Sequence, residues 1–471
     1  MNNSEFRKYA HEMADYIADY LEDIESFPVK SQVKPGEILN SLPHSPPDES
    51  EKFNQIMKDF NEVILPGITH WQSPNFFAYF PANSSYPSVL AEMLTAAMAA
   101  QCMVWETSPA AAELEEKVME WIKQIMGLPS NFKGVIQDSA STSTLVALLS
   151  AREKITDFSI NETGFESNKY RVYCSTEAHS SVEKAAKIAG FGRTNLVKID
   201  VGQNQGMIAE QLEEAIQKDL ALGYIPVCVV AAIGTTGTGA IDPLKMISGI
   251  TRKFNIWLHV DAAYAGTAFL IPSYRHLLEG IEDADSYVFN PHKWMFTNFD
   301  CSAYFVKDHK TLIKTFEILP EYLKTNPDNQ VNNYRDWGVQ LGRRFRALKL
   351  WFVIRNMGVN DMRARIQNHI NWSHWLAEQI NNSENFELFI PQNFSLVCFR
   401  LKPNSYSETE SLNSLNERFL HHLNSSGRIY LSHTKVNNRY ILRMVVGQTY
   451  AAFENVTKAW DFINTESKKF I

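Results

Sequence analysis

Between about residues 133 and 307, short apolar runs alternate with longer amphipathic stretches. Arg171-Val172-Tyr173-Cys174 leads into a helical stretch over 181–189, and the run 226–233 leads through a Gly/Thr loop into another over 244–254. The runs 256–260, 286–289 and 302–306 follow. Runs of this length and β-branched content read as buried strands. Their alternation with helices predicts an α/β domain built on a mostly parallel sheet with both faces covered. Ligands of such sheets sit beyond the carboxyl ends of the strands. His179, Thr236, Asp261 and the segment 290–293 each fall just after an apolar run, so stretches far apart in sequence are expected to meet on one edge.

The flanks have other patterns. Tyr9, Met13, Tyr16, Tyr20 and Ile24 recur at helical spacing, predicting an amphipathic helix over 6–24 whose aromatic face needs a partner in this chain or in a second subunit. A Pro/Ser/Asp-rich connector covers 28–50. Beyond a long helix over 343–357, strands at 396–401, 429–432 and 439–446 with helices over 412–423 and 452–463 predict a smaller α+β domain. The expected organisation is an N-terminal helical segment over 1–85, packing on a partner subunit, a large domain over 86–346 and a small domain over 347–471.

Composition narrows the field. The chain has 471 residues, 45% apolar and 21% charged, with a formal charge of −8, which speaks against nucleic acid or an anionic membrane as main partner. Its apolar runs fall far short of a membrane span. The first residues carry no apolar signal core, so a cytoplasmic location is expected. Five cysteines without CxxC spacing give neither a disulfide framework nor a metal site.

The chemistry lies in two segments, Leu258-His259-Val260-Asp261-Ala262-Ala263-Tyr264 and Asn290-Pro291-His292-Lys293-Trp294. Pyridoxal phosphate binds covalently to a lysine and needs an acid paired to its ring nitrogen to act as an electron sink. Lys293 can supply the amine and Asp261 the acid. Both types usually sit on the surface, but Asp261 ends an apolar run and is expected to be buried, where a carboxylate wants a cationic partner. Gln137-Asp138-Ser139-Ala140-Ser141-Thr142-Ser143-Thr144 precedes a helical run over 145–152, either as an ordinary N-cap or as a phosphate cup. His179 can cap the helix after it or lie on a cofactor ring. Ala263 is small enough to pack on the opposite ring face. Thr236 is a turn residue or a hydrogen-bond partner near the ring nitrogen. Tyr334 lies in the polar stretch 325–337, a plain surface loop or a mobile lid carrying a proton donor.

Asn75-Phe76-Phe77-Ala78-Tyr79-Phe80-Pro81, Glu113-Leu114-Glu115, the His179 segment, the two segments above, Phe299-Asp300-Cys301-Ser302 and Leu341-Gly342-Arg343-Arg344-Phe345-Arg346 together resemble the group II pyridoxal-phosphate decarboxylases. The likeness runs over nearly the whole chain and is nearest to the aromatic-L-amino-acid branch. It implies the aspartate-aminotransferase-like fold type I and a homodimer with active sites at the interface. By that resemblance Lys293 binds the cofactor aldehyde, Asp261 pairs the ring nitrogen and His179 stacks on the ring. Ala140, Ser141, Asn290 and His292 would contact the phosphate, Thr236 the ring side, and Tyr334 would reprotonate the substrate carbon.

The resemblance further implies decarboxylation of a neutral aromatic L-amino acid (tryptophan, dihydroxyphenylalanine, tyrosine or phenylalanine) to the amine and carbon dioxide. Trp71, Tyr79, Phe80 and Met103 would line the ring pocket. The chain departs from the animal aromatic decarboxylases at Ala82, where they carry threonine, and at Gln101 and Met103, where they carry Ile and Phe. Gly342 matches the aromatic branch and leaves room for a larger ring. The alternatives are histidine decarboxylation and an oxidative route to an aldehyde, whose members tend to replace the loop tyrosine or the stacking histidine; Tyr334 and His179 are both present.

Overall fold

A computed structural model describes residues 1–167, 169–318, 331–405 and 408–471. Two compact units are present, one formed by residues 82–371 and 392–396, the other by 1–81, 372–391 and 397–471. The boundaries fall away from the sequence junctions at 85/86 and 346/347: the helix Arg346–Asn381 contributes its first part, through Asn371, to the larger unit.

The larger unit is built on seven strands: β1 Lys133–Gln137, β2 Tyr170–Ser175, β3 Leu196–Ile199, β4 Ile225–Ala232, β5 Trp257–Asp261, β6 Ser286–Phe289 and β7 Ser302–Val306. Their order is β1-β7-β6-β5-β4-β2-β3. The five strands from β6 to β3 are parallel, and β7 is antiparallel to both β6 and β1. Two reversals cancel, so β1 points the same way as β6. The carboxyl ends of β1, β2, β4, β5 and β6 therefore lie on one edge.

The expected strands at 286–289 and 302–306 form at those residues, and the others shift by a residue or two. Interior strands buried on both faces read as continuous apolar runs, and every residue of β4 after Ile225 is buried. Pro226 has no N–H to give the ladder, and the β2–β4 register shifts beside it, from Arg171↔Pro226 to Val172↔Cys228. β3 escapes the apolar pattern because it is a short edge strand with two partly or fully exposed central residues. Sheet and helices enclose one apolar core that includes Val172, Val230, Trp257, Val288 and Tyr304.

In the smaller unit, β8 Phe386–Leu388, β9 Leu396–Leu401, β10 Ser432–Val436 and β11 Arg439–Val445 form a sheet in the order β10-β11-β9-β8. The strand expected at 429–432 is displaced to Ser432–Val436. Ile429 and Leu431 are buried without joining the ladder, and Tyr430 makes an isolated parallel bridge to Phe76. The N-terminal helix forms over Asn3–Glu22, capped by Asn2 with Glu5 answering. None of its residues is buried. Its aromatic face meets residues of its own unit: Tyr9 against Phe53 at 4.5 Å between ring centroids, Tyr16 edge-on to Phe60, and the Tyr20 hydroxyl 2.8 Å from His70 Nδ1.

The helix expected over 343–357 begins at Arg346 and loses helical geometry at Gly358, with φ 72° and ψ 157°. Only glycine adopts that conformation cheaply. Among the described residues no helix is long and apolar enough to cross a membrane.

Candidate active site

β1, β2, β4, β5 and β6 each deliver one candidate segment to the shared edge. After β1, Ser139 takes extended geometry and its hydroxyl accepts from the Thr142 N–H at 3.3 Å, starting the helix Ala140–Ile155. The N–H groups of Ala140 and Ser141 in the first turn make no hydrogen bond among the described residues. They give a donor pair where the helix dipole favours an anion.

After β2, His179 caps the helix Ser180–Ile188: Nδ1 accepts from the Ser181 N–H at 3.2 Å and lies 2.8 Å from Ser181 Oγ. The capping use of His179 is thus real and leaves Nε2 without a hydrogen bond among the described residues. Burial holds this imidazole below its ordinary pKa; the Asp261 carboxylate pulls it up and the Lys293 ammonium pushes it down. That His179 feels both charges places the three groups together.

β5 ends on Asp261, which is 9% exposed. Its Oδ1 accepts from the Ala263 N–H at 3.0 Å, and Oδ2 makes no hydrogen bond among the described residues. Beneath it, His259 lies wholly inside with Nδ1 2.9 Å from Ser286 Oγ, and burial pushes its pKa down to about 4.

β6 leads to Asn290, then to the single helical turn Pro291–Trp294 that carries Lys293. The turn is tied on three sides. Asn83 donates from Nδ2 to the Lys293 carbonyl at 2.9 Å and from its N–H to the His292 carbonyl at 2.9 Å. His292 Nδ1 accepts from the Cys301 N–H at 2.8 Å. Trp294 Nε1 donates to His369 Nδ1 at 3.0 Å, while the Trp294 ring stacks on Tyr264 at 4.8 Å. Asn83 is 1% exposed, and sequence reasoning misses it. Its one signal is its place two residues beyond the Tyr-Phe-Pro triplet. Asn290 Oδ1 is buried with no hydrogen-bond partner among the described residues.

The remaining sequence candidates are placed as follows. Thr236 is exposed in the turn after β4, whereas its neighbour Thr235 is buried and accepts from the Ala240 N–H at 3.0 Å. Tyr334 opens a single turn over Tyr334–Asp336 and is 2% exposed, which removes the exposed-loop reading. Its ring packs on Trp337 and under the Arg343 guanidinium at 4.9 Å. Part of the expected lid, 325–330, lies outside the described residues.

Gln101 and Met103 share a segment pinned to the one bearing Tyr334 and Gly342: the Arg335 N–H donates to the Met103 carbonyl at 2.8 Å and the Cys102 N–H to the Arg343 carbonyl at 3.0 Å. Ala82 begins the larger unit. Trp71, Tyr79 and Phe80 belong to the smaller one, where Trp71 and Tyr79 stack at 5.9 Å and Arg443 lies over the Phe80 ring at 5.4 Å.

The model of the pyridoxal-dependent decarboxylase conserved domain matches residues 35–402. The chain belongs to the pyridoxal-dependent decarboxylases. Tyrosine decarboxylase 2 of Narcissus pseudonarcissus is 42% identical to it over 98% of this chain and 93% of its own length. Phenylacetaldehyde synthase of Arabidopsis thaliana is 42% identical over 99% and 96%. Among solved structures, Catharanthus roseus tryptophan decarboxylase in complex with L-tryptophan superposes with a TM-score of 0.94 at 38% identity, covering 100% of this chain and 99% of that one. Oryza sativa TDC with PLP and tryptamine does so at 0.96 and 35%, with the same coverage. The fold is therefore fold type I and the cofactor is pyridoxal phosphate.

This decarboxylase's own residues suit that group. Asp261 Oδ2 offers a buried acceptor for a protonated ring nitrogen. The Ala140 and Ser141 N–H groups offer donors for a phosphate, and so does His292. Burial, with Lys293 nearby, pushes the His292 pKa down to about 3, so its ring is neutral. With Nδ1 accepting from Cys301, the ring proton is on Nε2, a donor. Asn290 Oδ1 is an acceptor that the protein leaves for a bound molecule.

Proposed function

We propose that this enzyme removes the carboxylate of a neutral aromatic L-amino acid, releasing the amine and carbon dioxide, with Lys293, Asp261, His179 and Tyr334 as its catalytic residues. The single observation that carries the site reading is that His179, Asp261 and Lys293, each at the carboxyl end of one of the parallel strands β2, β5 and β6, are close enough for the imidazole to feel both charges. The substrate class is supported by the relatives named for tyrosine and tryptophan decarboxylation and by the complex with L-tryptophan.

Pyridoxal phosphate, when bound, supplies the sink for the electrons of the bond that breaks. Lys293 provides the amine that holds its aldehyde, and the Asn83 bonds fix the backbone from which that amine extends. Asp261 keeps the ring nitrogen protonated through Oδ2, and fixed charge of this kind is often the largest catalytic term. His179 and Ala263 would hold the ring from its two faces, and Thr236 would offer a hydrogen bond beside it. Ala140, Ser141, Asn290 and His292 hold the phosphate. Ala82, Gln101, Met103 and Gly342 shape the substrate pocket, where apolar burial supplies much of the affinity. After the Cα–carboxylate bond breaks and carbon dioxide leaves, Tyr334 gives a proton to Cα. Burial, together with Glu115 and Glu116, raises the Tyr334 pKa well above its ordinary value. The phenol therefore keeps its proton at neutral pH, as a donor must.

The enzyme is further read as a cytoplasmic homodimer. All five cysteines are buried free thiols, which fits a reducing compartment. The helix Tyr86–Met98 exposes Leu90, Met93, Leu94 and Met98, and the N-terminal helix buries none of its residues. Apolar surface of that extent fits a subunit contact.

A second reading, oxidative conversion to an aldehyde, is supported by the likeness to phenylacetaldehyde synthase. The deciding experiment loads the protein with pyridoxal phosphate, offers tryptophan, dihydroxyphenylalanine, tyrosine, phenylalanine and histidine, and measures amine, aldehyde, ammonia and hydrogen peroxide. Amine from the first four with little peroxide is expected. Aldehyde with stoichiometric peroxide, or turnover of histidine alone, would overturn the proposal.

A further inference from the structure

Gln101 stands out because its two amide atoms have unequal employment. Oε1 accepts from the Arg343 backbone N–H at 2.7 Å. An N–H can be received only by the oxygen, so the amide orientation is fixed by chemistry. Nε2 is then directed elsewhere, and it makes no hydrogen bond among the described residues. It lies 3.4 Å from the point where a Cβ on Gly342 would stand. Gln101 and Gly342 are both exposed in the chain.

The platform behind the amide is rigid. The Arg343 guanidinium is buried, paired with both oxygens of Glu115 at 2.7 and 3.1 Å, and bonded to the Ile136 carbonyl at 2.7 Å. The Cys102–Arg343 backbone bond adds a second tie between the two segments. An oriented donor therefore projects, without an acceptor, beside a residue that has no side chain.

We propose that Gln101 is a specificity-determining residue whose Nε2–H donates to an oxygen on the ring of the substrate, so that hydroxylated aromatic amino acids are favoured over their unsubstituted counterparts. This rests on the reading above that puts Gln101 and Gly342 in the substrate pocket. The preference follows from donor–acceptor bookkeeping. A ring hydroxyl accepts a hydrogen bond, a phenyl ring has no acceptor, and an indole N–H is only a donor. Gly342 supplies the space that the ring oxygen needs next to Nε2.

The test measures kcat/KM of the cofactor-loaded enzyme on two matched pairs, tyrosine with phenylalanine and 5-hydroxytryptophan with tryptophan. Each pair differs by one oxygen. The hydroxylated member is expected to be favoured about tenfold, equivalent to about 1.4 kcal/mol. Gln101→Leu and Gln101→Met each remove both the oxygen that serves Arg343 and the donor. Both variants are expected to bring the ratios close to one. Because each ratio is taken within one preparation, a reduced folded fraction cancels. Ratios near one in the unaltered enzyme, or ratios unmoved in both Gln101 variants, overturn the proposal and leave aromatic decarboxylation standing. Absence of amine from all four substrates overturns both.

Discussion

His292 Nδ1 accepts the Cys301 backbone N–H at 2.8 Å. This bond decides which ring nitrogen of a neutral, buried histidine carries its proton, and it leaves Nε2–H as the donor. The histidine before the cofactor lysine is therefore a neutral hydrogen-bond donor, not a cation. His292→Phe is expected to weaken pyridoxal phosphate binding about tenfold to a hundredfold, the range for one lost bond to a charged group. Equilibrium dialysis checks this. The loss should be the same at pH 6 and pH 8, because a group with a pKa of about 3 is neutral at both.

Acid should unfold this protein in a defined window. His259, His292 and His369 are buried and held far below the ordinary 6.5, at about 4, 3 and 3. Below pH 6.5 the unfolded chain binds protons at these sites that the folded chain refuses, so stability falls as pH drops from 6.5 towards 3–4. Asp242 opposes this. Its pKa is raised from 3.8 to about 6, so between those values the folded state holds the extra proton. From these four groups, three protons less one contribute about 2.7 kcal/mol per pH unit between pH 4 and 6, at about 1.36 kcal/mol per proton and unit. Denaturant titrations across that range, with and without His369→Gln, measure the share of one histidine: the variant's slope is expected to be lower by about 1.4 kcal/mol per pH unit.

The Arg343–Glu115 pair supports the segment that carries Tyr334 and Gly342. Both partners are buried, and Glu115 Oε1 also accepts from the Ile136 N–H at 2.8 Å. Removing one partner of such a pair leaves a buried charge alone and costs about 3–5 kcal/mol. Glu115→Ala should show that loss in urea unfolding, and its turnover should fall by more than its cofactor binding, since Arg343 also lies over the Tyr334 ring.

Much of the larger unit is legible in the amino-acid pattern, for a physical reason. Strands buried on both faces leave unbroken apolar runs, so β6 and β7 are visible in sequence, and so is the placing of His179, Asp261 and Lys293 just beyond strands. β3 is not, because a four-residue edge strand with two outward central positions has no such run. Ties made across the fold are equally hidden. Asn83 meets Lys293 across 210 residues of chain and Gln101 meets Arg343 across 242, and neither partnership leaves a periodic trace. The burial of Tyr334 is hidden too: its stretch is polar, and only the folded chain brings Trp337 and Arg343 around the ring.

Asp261 separates binding from chemistry. Asp261→Asn keeps the shape and an acceptor but loses the anion that stabilises a protonated ring nitrogen. Turnover is expected to fall at least about a thousandfold, as for loss of a major electrostatic group, while pyridoxal phosphate still binds. Single-turnover measurement of carbon dioxide release is the check.

Lys293 is the residue on which cofactor attachment depends most directly. Borohydride reduction of the cofactor-loaded protein, followed by proteolysis and mass spectrometry, is expected to place one pyridoxyl phosphate adduct on the peptide containing Lys293 and to lose it in Lys293→Ala. An adduct on a different lysine, or none under conditions where the cofactor is bound, would contradict it.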